Sequence, residues 1–127
     1  MLVWEELPFS EIDPLLIREA RRERSFITEI GHYWRLSEPS GGTLAVIGFV
    51  WHSRRHVRVR GHYVPPGRRG EGFGSRSFDY LLGEARKAGA TQVTAAVKPW
   101  LVPMYNRRGF VQTQVYADGE VEVQLGF

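Results

Sequence analysis

The sequence predicts a single α+β domain with a mixed, mostly antiparallel sheet flanked by helices, in the order β-α-β-β-β-α-β-α-β-β. Stretches with the two-residue alternation of strands give way twice to the helical spacing of apolar residues. No Pro-, Gly- or Ser-rich linker divides the chain, and 127 residues is the size of one domain. We therefore assign residues 1–127 to one unit.

The N-terminal part is predicted to form a strand and then a helix. Residues 2–7 alternate weakly in hydropathy and end before Pro8. Asp13 and Pro14 are the residue types preferred at an N-cap and at the first helical position. An amphipathic helix to about Arg24 is expected, because apolar residues recur at helical spacing at Ile12, Leu15, Leu16 and Ala20.

Three consecutive strands are predicted in the middle of the chain. They cover residues 33–36, 44–51 and 56–64, with turns at residues 38–42 and 53–55. Strands joined by such short turns form an antiparallel meander.

The C-terminal half begins with a second amphipathic helix, from Gly72 to a C-terminal Gly89. Residues 91–97 are apolar and β-branched, so we expect a strand buried on both faces and parallel to its neighbour. A short helix or turn follows over residues 101–108. The last two strands are predicted as a hairpin at residues 110–116 and 120–125.

Composition excludes several kinds of site. The chain has no cysteine, which removes thiol nucleophiles, disulfides and thiolate metal sites, and no metal site is predicted. No apolar run reaches the roughly 20 residues of a membrane span, and the start lacks the basic region of a signal peptide. We expect a cytoplasmic protein without a membrane partner. The net charge of +3 suits an anionic partner, whether nucleic acid, a polyphosphate cofactor or an acidic substrate.

The most informative stretch follows the strand that ends at Val64. A proline-stiffened loop leads to Gly70, Gly72 and Gly74, where the second helix opens. Glycine lets the backbone approach a ligand closely, and the free amides and dipole of a helix start form an anion site suited to a pyrophosphate. Arg68 and Arg69 add positive charge beside it.

Two other glycine-rich motifs do not fit this stretch. A P-loop ends in Gly-Lys-Ser/Thr, but Phe73 and Gly74 precede Ser75 here. A dinucleotide-binding fingerprint needs an acidic residue at the end of the next strand, where this chain has Val97 and Lys98.

The segment Arg69-Gly70-Glu71-Gly72-Phe73-Gly74 resembles the acetyl-CoA-binding motif of the GNAT superfamily of N-acetyltransferases, Arg/Gln-x-x-Gly-x-Gly/Ala. The resemblance extends upstream to Tyr63-Val64-x-Pro66 and downstream to Tyr105-x-x-x-Gly109-Phe110, and the element order matches the GNAT fold across nearly the whole chain. It implies acetyl-CoA as cofactor. The cofactor-binding residues that it implies are Tyr63, Val64, Arg69, Gly70, Gly72, Phe73, Gly74 and Ser75.

The chain departs from the family pattern before the tyrosine. Lys98 and Leu101 stand where the family often has Asn-x-x-Ala, and Pro99 and Pro103 bracket the helix that would carry it. We expect this helix to be short or irregular.

The resemblance implies a catalytic role for Tyr105. The family often places here a general acid that returns a proton to the CoA thiolate, a task that suits a phenol. The alternative is a tyrosine that packs beside the cofactor and hydrogen-bonds its sulfur.

Strand alternation places His56, Arg58, Arg60 and His62 on one face. In the family, one face of this strand looks into the acceptor site and often carries the base. The two histidines are therefore the candidate catalytic bases, and the two arginines are candidates to bind a carboxylate or phosphate of the acceptor. The alternative is a solvated polar face.

Glu29, after the first helix, lies where the family's acceptor-site wall runs. There it would orient the amine or act as base, and the alternative is an exposed loop carboxylate. The oxyanion would be held by a backbone amide of residues 62–64.

These expectations define an N-acetyltransferase that moves an acetyl group from acetyl-CoA to an amine by direct attack, without an acyl-enzyme. The expected partner is a small-molecule or peptide amine that also carries an anionic group. The alternative function is a GNAT-like module that binds CoA or nucleic acid without transferase activity. Nucleic acid is the less favoured partner, and a homodimer is left open.

Overall fold

The computed structural model describes residues 2–127 as one seven-stranded sheet with three α-helices, and it confirms the predicted element order. The strands are β1 (Val3–Leu7), β2 (His32–Ser37), β3 (Thr43–Ser53), β4 (His56–Tyr63), β5 (Gln92–Val97), β6 (Val111–Val115) and β7 (Val121–Gly126). The helices are α1 (Pro14–Arg22), α2 (Phe73–Lys87) and α3 (Val102–Asn106), with single 3₁₀ turns at Phe9–Glu11, Pro66–Arg68 and Pro99–Leu101. No helix within residues 2–127 is long and apolar enough to cross a bilayer.

The sheet has the order β1-β2-β3-β4-β5-β7-β6. All neighbouring strands are antiparallel except β4 and β5. This parallel pair is short, from His56 opposite Gln92 to Arg58 opposite Thr94. Beyond Arg58 the two strands part, while β5 stays paired with β7 as far as Val97. The parting of β4 from β5 creates the space in which the site lies.

Each face of the sheet has its own core. Tyr33 and Trp34 are consecutive on β2 and enter different clusters, as strand alternation requires. The Trp34 side packs against α2, with Phe78 and Leu81 fully buried. The Tyr33 side packs against α1.

The structure confirms the predicted start of α1 and the predicted end of α2, whereas α1 ends at Arg22 and not near Arg24. The Asp13 carboxylate accepts a hydrogen bond from the amide of Leu15 at 2.9 Å, and Pro14 begins α1. After α2, Gly89 takes the left-handed φ of +96°. The expectation that β5 is buried on both faces is only partly correct, because Ala96 is exposed. It lines the space between β4 and β5.

A β-bulge in β4 overturns the expectation that His56, Arg58, Arg60 and His62 share one face. Arg60 lies opposite Gly48, but Tyr63 lies opposite Val46, so β4 contains one extra residue. Tyr63 therefore joins the cluster on the α1 side. His62 turns to the opposite face, where its ring lies over Phe78 with the centroids 6.0 Å apart.

Gly61 allows this bulge. Its φ is +64°, in the left-handed region that glycine adopts without strain. A Cβ there would lie 2.7 Å from Cγ1 of Ile27 and 2.9 Å from Cε1 of Tyr33. Both the backbone angle and the space therefore require glycine at this position.

Candidate active site

A cleft of ≈ 700 Å³ opens where β4 and β5 part. Its walls come from β4 beyond Val57, from the C-terminal half of β5, from the loop that leads into α2 and from α3. The segment that follows α1 also reaches it, at residues 23–26. The cleft thus connects the glycine-rich loop at one end with Tyr105 and the parting strands.

The glycine-rich loop exposes an uncapped helix start to the cleft. Gly70 and Gly72 have φ values of +82° and +85°, and Gly72 is the N-cap of α2. No side chain caps this helix, so its first amides and its dipole are free to meet an anion. A Cβ on Gly74 would make only ordinary contacts, the nearest at 3.6 Å to Val64. The loop thus has the form that a pyrophosphate requires.

Arg68, which the sequence places beside this loop as a source of positive charge, has one donor without a partner in the described chain. Within residues 2–127, its Nε is buried and has no hydrogen-bond partner. Its Nη2 donates to Glu38 at 2.8 Å. A buried donor without a partner is costly, and Arg68 lines the cleft beside this loop. The donor set therefore fits the phosphates of CoA.

Arg69, a predicted cofactor residue, is engaged with protein groups. Its Nη2 donates to both carboxylate oxygens of Glu23, at 2.7 and 2.8 Å, and its Nε donates to the carbonyl of Val64 at 2.9 Å. Nζ of Lys98, at the end of β5, donates to the carbonyl of Glu23 at 3.2 Å. Glu23 therefore links two walls of the cleft, the loop before α2 and the end of β5. No local pattern marked it, because its partners lie 46 and 75 residues away.

Tyr105 lies on α3 with only 3% of its surface exposed. Its ring packs edge-on against Phe78 and Phe110, with centroids 4.6 and 5.2 Å away. Its hydroxyl hydrogen-bonds no group within residues 2–127, and the residue lines the cleft. Burial raises the pKa of Tyr105 above its ordinary value. The phenol is therefore protonated throughout the physiological range and is a donor.

His62 is the predicted base that lines the cleft. Its Nε2 lies 3.4 Å from Oγ of Ser77, under the first turn of α2. Burial lowers the pKa of His62 from 6.5 to about 4, against the opposing effect of a hydrogen bond with the Gly74 backbone. The imidazole is therefore neutral at pH 7 and binds a proton weakly.

His56 and Glu29 lie outside the cleft. His56 begins β4, where β4 and β5 are still paired, so no space opens beside it. Its Nε2 lies 2.7 Å from Oγ1 of Thr94, and burial, followed by the charges of His52 and Arg58, lowers its pKa. Glu29 is an exposed carboxylate in the turn before β2. The structure does not bring either residue to the expected position.

Arg58 lines the cleft, but its guanidinium is already paired. Its two terminal nitrogens donate to the two carboxylate oxygens of Glu122, at 2.7 and 2.8 Å. It also donates to Thr94 at 3.1 Å, and the hydroxyl of Tyr116 donates to Glu122 at 2.8 Å. Although burial raises the pKa of Glu122, these bonds from Arg58 and Tyr116 outweigh it and hold that pKa below its ordinary value. The expectation that Arg58 binds an anion of the acceptor must therefore be corrected.

Arg60 remains available at the rim. It is exposed and lines the cleft, and within residues 2–127 it has no carboxylate partner. Six basic side chains line the cleft against two acidic ones, Glu23 and Glu120. Carboxylates pair with four of the six, which leaves Arg60 and Lys98 to attract an anion.

Comparison with known proteins agrees with this geometry. Residues 33–121 match the profile of the acetyltransferase (GNAT) domain. A search among curated proteins found no significant match.

Solved structures share the fold. An IAA acetyltransferase from Bacillus cereus superposes with a TM-score of 0.82 at 13% identity, covering 100% of both chains. A spermidine/spermine N-acetyltransferase from Vibrio cholerae gives 0.80 at 10% identity, covering 98% of this chain and 93% of the other. A Mycobacterium tuberculosis protein in complex with CoA gives 0.79 at 15% identity, covering 98% and 99%. At these identities the likeness establishes the fold alone.

Proposed function

The chain belongs to the GNAT acetyltransferase family, and we propose that it transfers an acetyl group from acetyl-CoA to an amine by direct attack on the thioester. One observation carries this proposal. A single cleft joins an uncapped, glycine-rich helix start to a buried tyrosine whose hydroxyl bonds no other part of residues 2–127. A phosphate-bearing thioester and a proton donor would meet in that space.

The cofactor would be held by groups of three kinds. The amides of residues 70–75 and the positive charge of Arg68 would bind its phosphates. The edge of β4 from residue 59 onward has no strand partner on the cleft side, so its backbone is free to hydrogen-bond an extended chain. Bound there, acetyl-CoA supplies an activated acetyl group.

Tyr105 would act on the leaving group. In direct attack, the amine nitrogen forms a bond to the carbonyl carbon, the carbon–sulfur bond breaks, and the sulfur leaves as a thiolate that needs a proton. The buried, protonated phenol would donate that proton, or a hydrogen bond that stabilises the thiolate. The two roles differ in how far turnover falls when the hydroxyl is removed.

The acceptor amine must reach the site in its neutral form. His62 remains our candidate for a base inside the cleft, but with a pKa of about 4 it draws a proton from an ammonium only weakly. We therefore expect the rate to rise with pH as the acceptor loses its own proton in solution. A plateau near pH 7 with an amine of pKa ~10 would show instead that His62 or another group takes the proton.

We propose that the acceptor carries an anionic group beside its amine. Arg60 and Lys98 are the cleft cations without a carboxylate partner in the described chain, and a carboxylate or phosphate would pair with them. Such a rim disfavours polycationic amines. An amino acid, a peptide terminus or an amine near a phosphate meets this requirement.

Two measurements test the proposed function. Calorimetric titration with acetyl-CoA should show saturable binding. A thiol-release assay with a panel of amino acids, peptides, aminoglycosides and spermidine should then show turnover with the anionic amines. Saturable binding without turnover on any amine would favour a binding module, as would a strong, salt-dependent affinity for DNA or RNA.

A further inference from the structure

Two acidic side chains line the cleft, and they differ in how they are used. Glu23 accepts two hydrogen bonds from Arg69. The side chain of Glu120 forms no hydrogen bond or ion pair with any group of residues 2–127. A carboxylate has several sites for hydrogen-bond donors, so Glu120 can accept them from a ligand in the cleft.

The backbone of Glu120 is held by the turn between β6 and β7. Its amide donates to one carboxylate oxygen of Asp118 at 2.9 Å, and its carbonyl accepts from the amide of Tyr116 at 2.8 Å. The other oxygen of Asp118 lies 3.7 Å from the guanidinium of Arg24, on the segment after α1. The carboxylate of Glu120 is therefore carried by a backbone that the turn fixes in place.

Sheet register places Glu120 level with the amides that are expected to hold the oxyanion. Glu120 directly precedes Val121, which lies opposite Val97 at the end of the β5–β7 pairing. Because β4 runs parallel to β5, continuing their register past the bulge puts residues 62–63 beside Lys98, the residue after Val97. Neighbouring strands are about 4.8 Å apart, so Glu120 lies one strand beyond the parting, in the same row.

Glu120 and Arg60 share the face of the sheet opposite Tyr105. Val121 and Tyr105 belong to the same core cluster, and strand alternation turns Glu120, the neighbour of Val121, to the other face. Between Arg60 and Glu120 on that face lies Ala96, which is exposed and lines the cleft. Its short side chain leaves the space open. An acceptor that enters over Ala96 meets the thioester from the side opposite Tyr105.

We propose that Glu120 binds the amine of the acceptor while Arg60 binds its anionic group. The N–H groups of the amine donate to the carboxylate in charge-assisted hydrogen bonds. As the nitrogen bonds to the carbonyl carbon it gains positive charge, which Glu120 stabilises, and its extra proton then passes to water. Arg60 lies about 7 Å along β4 from this row, so the site fits an acceptor whose amine and anion are a few bonds apart. This inference rests on the proposed function in assigning the cleft to an amine acceptor.

Equilibrium binding tests this role without turnover. The protein saturated with CoA is titrated calorimetrically with glutamate and glutarate, and with 2-aminoethyl phosphate and ethyl phosphate. The second member of each pair lacks only the amine. In at least one pair the amine should bind at least tenfold more tightly, and the absence of such a preference in both pairs would overturn the inference.

Variants of Glu120 assign the preference to its carboxylate. Glu120→Gln should bind both members of the pair within threefold of each other, while its affinity for CoA stays within threefold of wild type. Glu120→Asp restores a carboxylate and should regain at least a threefold preference. The matched control is Glu11→Gln, which changes the charge equally at an exposed position outside the cleft and should keep the wild-type preference. A Glu120→Gln protein that also keeps it would rule out the assigned role.

Thiol release separates this inference from the proposed function. Glu120→Gln should lower kcat/KM for the amine at least tenfold and change KM for acetyl-CoA less than threefold. A wild-type protein that prefers the amines but releases no thiol contradicts the transferase and still supports the amine site. If CoA itself does not bind, the proposed function fails, and the same titrations on the free protein decide the role of Glu120.

Discussion

Two glycines at the ends of α2 share an unusual backbone conformation. Gly72 and Gly89 stand at opposite ends of α2, and both adopt a left-handed φ, +85° and +96°. A Cβ on either would meet no atom within 4 Å. The two positions therefore differ in how close they lie to the cleft. A side chain introduced at either one would strain the backbone to a similar extent.

This pair gives a controlled test of the phosphate site. Gly72→Glu should weaken CoA binding at least 100-fold, because a carboxylate would lie where the loop amides meet an anion. Gly89→Glu should lose a similar ~1–2 kcal/mol of stability from the left-handed conformation while CoA affinity stays within threefold. Calorimetric titration and thermal melts measure both effects. Normal CoA binding by a folded Gly72→Glu protein would contradict the site.

Tyr105→Phe separates catalysis from packing. The ring contacts with Phe78 and Phe110 are kept, so CoA affinity should stay within a few-fold. Turnover should fall by ~10²–10⁴, the range for loss of a general acid. Steady-state kinetics combined with titration measures the two effects. Unchanged turnover would limit Tyr105 to packing beside the cofactor.

His62 gives the fold a dependence on acid. Its pKa is about 4 in the folded chain and 6.5 ordinarily, so between these values the unfolded state binds more protons. Stability should therefore fall as the pH drops from 6.5 to 4, with His62 contributing up to about 3 kcal/mol of the loss. Denaturant titrations of His62→Gln should show a flatter pH dependence. A His62→Gln protein with the wild-type pH dependence would contradict the assignment.

Among the elements, β4 determines which side chains enter the cleft. Its bulge at Gly61 turns His62 toward α2, while Arg58 and Arg60 keep the opposite face. Simple alternation predicts one polar face with four members. The extra residue divides that set, because a shift of one residue exchanges the two faces of a strand.

The bulge makes Gly61→Ala strongly destabilising. The added Cβ would overlap Ile27 and Tyr33 at 2.7 and 2.9 Å and would need a left-handed φ. Together these should lower the free energy of unfolding by about 2–4 kcal/mol. Gly67→Ala, where a Cβ meets nothing within 4 Å, should change it by less than about 1 kcal/mol. Equal denaturant midpoints for the two variants would contradict the packing described.

At the scale of the whole molecule, the modest net charge of +3 conceals a local concentration of cations. Six basic side chains line one cleft, and ion pairs neutralise most of them. Arg58 is paired with Glu122, so replacing Arg58 with glutamate would bring two carboxylates together. Such a variant would report on the stability of the fold and not on acceptor binding. Arg60 is the arginine at which the acceptor can be tested.

Arg60→Glu should raise KM for an anionic acceptor at least tenfold and KM for acetyl-CoA less than threefold. The control is Arg54→Glu in the exposed β3–β4 turn, which takes the net charge from +3 to +1 in the same way but leaves the cleft unchanged. Steady-state kinetics with both substrates measures the two KM values. A larger effect on acetyl-CoA would assign Arg60 to the cofactor's phosphates, and efficient acetylation of spermidine by the wild-type protein would contradict an anionic acceptor.

The sequence by itself determined the order of elements, the N-cap of α1, the glycine that follows α2, and the glycine-rich loop. These features are encoded locally: a capping aspartate, a period of 3.6 or 2, and glycines at a helix start act over a few residues. The family resemblance rests on local motifs of the same kind, and it implied the cofactor and the role of Tyr105.

Only the tertiary structure decided which polar residues meet. Arg58 is joined to Glu122 across 64 residues, and it meets that partner because β7 inserts between β5 and β6. Glu23 and Lys98 are joined across 75 residues, and one extra residue at Gly61 moves His62 to the other face. Such contacts depend on how strands are ordered in the sheet and on their register. Neither leaves a local pattern in the sequence, because each is fixed by the packing of the complete chain.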